Sequence, residues 1–93
     1  MVEYKKGYFA KSKAGHDKGK TYIIIEGTRE TGSDEIVLVA DGVCKTIAKP
    51  KKKKIKHLQV VHLTDPMIED RIKGNLEIRD EDIKRAIHAY IGE

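Results

Sequence analysis

Residues 11–20 of this chain, KSKAGHDKGK, combine four lysines with two glycines, a histidine and an aspartate. Gly15 and Gly19 permit positive φ angles and a close approach of the backbone to another molecule. Backbone N–H groups in such a turn, flanked by ammonium groups, would form a cradle for phosphate. Asp17 would repel phosphate, so we expect its carboxylate to accept hydrogen bonds from nearby backbone N–H groups and hold the turn. The alternative is an ordinary charged hairpin turn, in which an exposed His16 has no role.

A second basic segment lies in residues 49–56, where six of the eight residues are lysine. Like charges this close together repel one another unless an anion such as phosphate offsets them. Pro50 cannot donate a hydrogen bond to a β-ladder, so the lysine run is predicted to be a loop or an edge strand. Because two basic segments occur in one small chain, binding of a polyanion is favoured over a merely solubilising loop.

Catalytic or metal-dependent chemistry finds little support in the residues. His57 and His62 are an odd number of positions apart, so on one strand they would point to opposite faces and could not share a metal ion. Ser12, Ser33 and Cys44 have no base partner nearby in the sequence, and no phosphate-loop or dinucleotide-binding signature is present. The single cysteine cannot form an internal disulfide. We therefore expect a protein that is not an enzyme and that uses no cofactor or metal.

The charge is distributed unevenly along the chain. Residues 1–64 carry 14 Lys and Arg against 7 Asp and Glu, whereas residues 65–93 carry 5 against 8. Lysine contacts phosphate as a point charge, whereas base edges are read better by the planar guanidinium of arginine. Since the basic part contains thirteen lysines and one arginine, we predict recognition of nucleic-acid backbone and shape rather than of sequence. With only five aromatic residues, the chain also makes a poor stacking platform for single strands.

The elements that must position the basic segments are predicted to be short strands. Apolar and β-branched runs bounded by turn residues predict five strands, at 7–14, 21–27, 35–40, 43–48 and 56–63. Asp41-Gly42 is a strong hairpin signal between the third and fourth strands, and residues 28–34 form a turn-rich connection. The first strand is polar on both faces, so its inward face cannot be assigned. The pattern predicts a mainly β fold, a small barrel, over residues 1–64.

Residues 65–93 predict two short helices packed on the barrel. Asp65 and Pro66 mark the start of the first helix, and Gly74 marks its end. Asp80 is predicted to cap the second helix, which Gly92 ends. The second helix has an apolar stripe at helical spacing, formed by Ile83, Ala86, Ile87, Tyr90 and Ile91. We expect this stripe to be buried against the barrel, and a surface for a partner protein is the alternative.

Residues 7–20, GYFAKSKAGHDKGK, followed by the apolar run 22–25, resemble a KOW motif. They are similar to the version in the fourteen-e family of archaeal and eukaryotic large-subunit ribosomal proteins, and above all to its small bacterial KOW-domain RNA-binding relatives. Residues 37–42 and 54–58 match the same pattern in the same order, so the resemblance covers about residues 5–63. It implies an SH3-like β-barrel that binds structured RNA, ribosomal RNA or the ribosome, through its loops.

The resemblance implies RNA contacts from the turn at residues 12–20 and from the segment at residues 49–57, and Lys11 and Lys45 are further basic candidates. The candidate RNA-binding residues are Lys11, Ser12, Lys13, Gly15, His16, Lys18, Gly19, Lys20, Lys45, Lys49, Lys51, Lys52, Lys53, Lys54, Lys56 and His57. Histidine 16 stands where many relatives have arginine, and the acidic C-terminal part differs from the basic extension of a permanently buried ribosomal protein. Two alternatives stay open, a KOW-type protein-interaction module whose acidic helices dock a basic partner, and a nonspecific DNA binder.

The chain is expected to be a cytoplasmic monomer that does not enter membranes. No segment approaches the roughly 18 consecutive apolar residues of a membrane span. The N-terminal residues, MVEYKKGYFAK, lack the apolar core of a signal peptide. A single cysteine is in keeping with a reducing compartment.

Overall fold

The computed structural model describes residues 6–27 and 36–92. Over these two ranges the chain forms a five-stranded antiparallel sheet and two helices, which confirms a fold rich in β-structure. The strands are, in chain order, β1 Tyr8–Ser12, β2 Thr21–Gly27, β3 Ile36–Ala40, β4 Lys51–Lys54 and β5 Leu58–Thr64. Their order across the sheet is β4-β3-β2-β1-β5, so β1 pairs with both β2 and β5. The predicted connection at residues 28–34 lies outside the described residues.

The fourth strand is not where the hairpin pattern predicts it. Residues 43–48 follow an irregular course, and β4 is instead the lysine run. Asp41 gives the reason, because its Oδ1 accepts hydrogen bonds from the backbone N–H groups of Val43 at 2.9 Å and Lys45 at 2.8 Å. An aspartate that bonds its own downstream backbone bends the chain locally instead of starting a two-residue hairpin. The prediction of a strand at residues 43–48 is therefore wrong, whereas the predicted edge position of the lysine run is confirmed.

Each face of the sheet carries a buried apolar cluster, and the helices contribute to only one of the two. Side chains alternate along a strand, so β1 places Phe9 on one face and Ala10 and Ser12 on the other. On the first face the helices cover the sheet, in a cluster of Phe9, Ile23, Ala40, Ile68, Ile83, Ala86 and Ile87. The opposite face holds a second cluster of Ala10, Tyr22, Ile24, Val37, Val39 and Leu58. The first strand therefore has two inward faces, which explains why the sequence did not assign one.

The first helix, α1, covers Pro66–Lys73 and begins as predicted. The Asp65 side chain accepts hydrogen bonds from the N–H groups of Met67 at 3.1 Å and Ile68 at 3.2 Å, which satisfies two of the unpaired donors of the first turn. The same carboxylate is 2.9 Å from the Arg85 guanidinium of the next helix. The α1 cap therefore also joins the two helices.

The second helix, α2, covers Asp80–Ile91, and its cap is Arg79 rather than the predicted Asp80. The N–H group of Arg79 donates to the Asp82 carboxylate at 3.0 Å. Asp80, the first helical residue, accepts a hydrogen bond of 2.7 Å from the N–H of Ile47, which ties the loop at residues 41–50 to the helix. Neither helix has the length and apolar character needed to cross a membrane.

The apolar stripe of α2 is confirmed only over its first part. Ile83, Ala86 and Ile87 are buried on the sheet, whereas Tyr90 and Ile91 are 41% and 46% exposed. The last turn of the stripe is therefore only partly covered: Tyr90 stacks on Phe9 of the sheet while part of its ring stays exposed, and Ile91 is exposed.

Candidate nucleic-acid interface

The glycine turn at residues 13–20 joins β1 to β2. Gly15 and Gly19 have φ angles of +84° and +90°, so both occupy the left-handed region that favours glycine, as predicted. The N–H groups of Gly19 and Lys20 donate to the carbonyls of Ser12 and Asp17 at 2.8 and 2.9 Å. These two donors are used inside the turn, so a phosphate at the turn would be held mainly by side chains.

Asp17 is the centre of the turn, and its role differs from the predicted one. Its partners are side chains rather than backbone N–H groups, and two of them come from the distant strand β4. Oδ1 accepts from Ser12 Oγ at 3.1 Å and Lys53 Nζ at 2.9 Å, and Oδ2 accepts from Tyr22 Oη at 2.8 Å and Lys51 Nζ at 2.9 Å. A carboxylate has about four lone-pair positions, so this one is saturated. We call these five residues the Asp17 cluster.

The electrostatics of the Asp17 cluster keep its carboxylate ionised. Burial alone would raise the pKa of Asp17, but the hydrogen bonds from Lys51, Lys53 and the two hydroxyls outweigh it and hold the pKa far below its usual value. Burial, and then the hydrogen bond to Asp17, raises the pKa of Tyr22, so the phenol stays a donor. Two ammonium groups against one carboxylate leave the cluster with a positive charge, and the aspartate does not present its charge to an approaching phosphate.

The lysines of β4 divide into two sets by the alternation of the strand. Lys51 and Lys53 pair with Val39 and Val37 of the second core cluster and turn toward Asp17. The side chain of Lys53 is only 9% exposed. Lys52 points the other way and is exposed, as is the side chain of Lys54. Alternate lysines of one run thus serve different purposes, since one pair anchors the turn and the other pair faces solvent.

Lys20 is held by a second carboxylate. Its Nζ lies 2.7 Å from Asp41 Oδ2 and 5.6 Å from the centre of the Tyr22 ring. The hydrogen bond to Asp41 raises the pKa of Lys20, while burial of Asp41 is outweighed by the bonds it accepts, which lower the pKa of that carboxyl. Asp41 also fixes the backbone of Lys45 in the 41–50 loop. Lys20 therefore stabilises the junction of the turn and this loop.

The glycine turn is also joined to the 3-10 turn at Ile55–His57, which connects β4 to β5. The N–H of Lys13 donates to the carbonyl oxygen of His57 at 2.8 Å, and Lys53 Nζ lies 3.5 Å from the carbonyl oxygen of Ala14. These contacts and the Asp17 cluster hold the turn, β4 and the 3-10 turn together. We call the solvent-facing side of these three joined segments the basic surface, and its exposed candidate residues are Lys13, Gly15, His16, Lys18, Gly19, Lys52, Lys54 and Lys56, with His57 half-buried.

Other predicted residues are placed elsewhere. Lys11 is exposed on the face of the sheet that the helices partly cover, opposite Thr21 and Gln59. Lys45 lies half-buried in the 41–50 loop, and Lys49 is exposed near the end of that loop. Ser12 is 2% exposed and reaches only the turn, since its Oγ also lies 3.0 Å from the carbonyl oxygen of Ala14. These positions extend or support the basic surface without forming its centre.

The anchoring roles of Tyr22 and Asp41 have no counterpart in the sequence analysis. Both belong to short patterns that predict secondary structure, and neither spacing indicates a lysine partner. Over residues 6–27 and 36–92, no group of His, Cys, Asp and Glu side chains is arranged to hold a metal ion. Cys44 is a free, exposed thiol, and Ser33 lies outside the described residues.

Comparison with known proteins does not assign a family. A search of protein-family models gives no match to this chain, and no curated protein matches it significantly. A function for the chain therefore has to follow from its own residues and their geometry.

Proposed function

We propose that this protein binds structured RNA, in the first place ribosomal RNA, through contacts of the basic surface with the phosphate backbone. The observation that carries the proposal is the Asp17 cluster, which holds the glycine turn against the lysine strand. Two basic segments that are far apart in the sequence thereby present their exposed ammonium groups on one rigid support. Fixing charges before binding reduces the entropy that association costs.

The proposal includes a closed, SH3-like barrel of the KOW type. The edge strands β4 and β5 are joined by only the 3-10 turn, from Lys54 to Leu58. Four residue steps span at most about 14 Å, whereas the outer strands of a flat five-stranded sheet lie about 19 Å apart. The second core cluster also lies on the face opposite the helices, where a curved sheet would bury it. Both features support a sheet that curls on itself.

Ribosomal RNA is the proposed target because of the order of the matched segments. Residues 7–20, 37–42 and 54–58 resemble the KOW pattern of large-subunit ribosomal proteins and their small bacterial relatives. The excess of lysine over arginine favours contacts with backbone and shape. The proposal includes a cytoplasmic location and a monomeric protein.

The proposal is tested by binding to ribosomal RNA fragments and to matched duplex DNA across a series of salt concentrations. About five phosphate contacts would give a slope of about −4 in a plot of log affinity against log salt. A Lys18→Glu/Lys52→Glu variant should bind much more weakly, and its slope should be flatter by about 0.7 to 0.9 for each lost contact. Lys73→Glu/Lys84→Glu changes the net charge equally on the helices and is the matched control.

The possible outcomes distinguish binding through the basic surface from binding that depends only on net charge. Strong, salt-dependent binding that prefers RNA and is lost only in the turn and strand variant supports the proposal. Equal losses in both variants would attribute binding to net charge. Equal affinity for RNA and DNA would favour a nonspecific DNA binder, and weak binding to both nucleic acids would overturn RNA binding altogether.

A second candidate function is a KOW-type protein-interaction module, associated with transcription or translation. The exposed apolar side chains beside α2 favour it, since Val43 and Ile91 are 60% and 46% exposed across a groove of about 420 Å³. In that case Val43→Ser, which removes an apolar contact, or a charge reversal at Glu81 on α2, would abolish capture of a basic protein partner. The same variants would leave RNA affinity unchanged if RNA binding is the function.

A further inference from the structure

A row of polar side chains crosses strands β5, β1 and β2 at the end of the sheet next to the glycine turn. Lys11 of β1 lies opposite Thr21 of β2 and Gln59 of β5. The row next to it, two residues along β1, has Phe9 at its centre and belongs to the core under the helices. The polar row is therefore the continuation of the core face beyond the part that α2 covers.

An aromatic ring forms the wall beside this row. The ring of Tyr90 stacks on Phe9 with the centroids 4.3 Å apart and the planes inclined by 14°. Phe9 is 4% exposed and Tyr90 is 41% exposed, so the tyrosine ring covers the core while part of it stays open to solvent. The two rings and the polar row line a cavity of about 300 Å³ that we call the Tyr90 pocket.

We propose that the Tyr90 pocket binds one unpaired nucleobase of the RNA, an inference that rests on the proposed function and deepens it. The open part of an aromatic ring offers a stacking surface to any base. The Gln59 amide can donate and accept hydrogen bonds at a base edge, and the Lys11 ammonium can contact the adjoining phosphate. The lining residues include no carboxylate, so nothing in the pocket repels an anionic nucleotide.

The position of the pocket fits a continuous RNA path. Lys11 is followed directly by the residues that enter the glycine turn, so a nucleotide in the pocket would adjoin the backbone held at the basic surface. An RNA that is recognised mainly by its backbone would gain from one splayed base, because bulges and loops are where proteins reach unstacked bases. Five aromatic residues make a poor platform for a whole single strand, but one well-placed ring is sufficient for a single base.

The pocket is tested first with ribonucleoside 5′-monophosphates at millimolar concentration, by the chemical shifts of the backbone amides. Ribose 5-phosphate, which lacks the base, is the control. The expected result is a set of shift changes at Lys11, Thr21, Gln59 and Tyr90 with nucleotides and not with the sugar phosphate. No change at these residues, or the same change with ribose 5-phosphate, would overturn the inference.

Variants separate the ring from general packing. Tyr90→Phe should keep nucleotide binding, and Tyr90→Leu should weaken it, by about 5- to 100-fold for a base in RNA. Gln59→Ala alters an exposed side chain and should weaken binding without affecting the fold. Tyr8→Leu removes a half-buried tyrosine whose ring centroid lies 5.2 Å from that of His62, and it should leave nucleotide binding unchanged. Equal effects of the two leucine variants would contradict the assignment.

A pair of RNA hairpins distinguishes failure of the pocket from failure of the proposed function. One hairpin is fully paired, and the other carries a single unpaired nucleotide in the same stem. The bulged hairpin should bind more tightly, and Tyr90→Leu should remove only that advantage. Equal affinity for both hairpins would overturn the pocket and leave backbone binding intact. Absence of hairpin binding, with shifts from free nucleotides preserved, would overturn the proposed function and leave a nucleotide site.

Discussion

Replacing Asp17 by asparagine removes the charge that four donors share. The variant leaves Lys53, whose side chain is 9% exposed, without its anionic partner at 2.9 Å. Removing one member of a buried ion pair costs about 3 to 5 kcal/mol of unfolding free energy. We expect about 3 kcal/mol, because Lys51 is 34% exposed and can turn toward water. At about 1.5 kcal/mol per molar urea, the urea midpoint would fall by about 2 M.

The effect should depend on pH in a defined direction. The ordinary pKa of an aspartate is 3.8, and folding lowers the pKa of Asp17 below that value. As the pH falls, the unfolded chain therefore takes up a proton before the folded protein does. The contribution of Asp17 is complete above pH 3.8 and is lost as the pH falls toward the folded pKa, by up to about 1.4 kcal/mol per pH unit. Wild type and Asp17→Asn should therefore differ most near neutral pH, and the difference should shrink between about pH 4 and pH 2.

Urea unfolding followed by circular dichroism, at several pH values, measures both effects. Lys53→Met in the Asp17→Asn background is the informative control, because it removes the uncompensated cation and should recover part of the stability. A midpoint unchanged by Asp17→Asn, or a difference from wild type that stays constant as the pH falls, would refute the account of the Asp17 cluster. The account would also be refuted if Lys53→Met lowered the stability of the Asp17→Asn variant further, because the buried cation would then not be the cause of the loss.

Three further predictions address the packing and the interface. Gly42→Ala should destabilise the fold by more than about 2 kcal/mol, because φ is +81° and the new Cβ would lie 2.9 Å from the backbone nitrogen of Lys84 in α2. Gly19→Ala has open space around the new Cβ and should lower the free energy of unfolding in urea by only about 1 kcal/mol. Lys52→Gln should weaken binding to an RNA hairpin with little change in urea midpoint, whereas Lys51→Gln should lower the midpoint as well. Ile83→Ala, at a fully buried position, should cost about 2 to 5 kcal/mol in the same unfolding assay.

Local chemistry made much of the fold predictable. β2 spans the predicted residues, and the Asp65-Pro66 pair starts α1, because both depend on contacts within a few positions. The errors arise where a side chain accepts hydrogen bonds that its local sequence pattern does not specify. Asp41 bonds the backbone after it and so moves the fourth strand into the lysine run, and Asp80 bonds Ile47 rather than capping α2. Residue type gave no indication of which N–H donors each of these aspartates would bind.

The candidate site was predictable as a set of basic segments but not as a geometry. Composition predicts an anion-binding role for residues 11–20 and 49–56, and that role stays a prediction. It does not indicate that Asp17 joins them, because its lysine partners are 34 and 36 positions away in the chain. Once the lysine run is known to be a strand, the alternation of side chains decides which lysines can reach the aspartate. The missing information was therefore the position of β4.

The arrangement of β4 determines how its lysines have to be tested. Four successive ammonium groups would repel one another, and the Asp17 carboxylate relieves that repulsion for Lys51 and Lys53. Reversing all four charges together would place two carboxylates against Asp17, unfold the turn and abolish RNA binding for a structural reason. Loss of binding in that variant would say nothing about where phosphate is contacted. Changes at Lys52 and Lys18, which lie outside the Asp17 cluster, report on the proposed RNA contact itself.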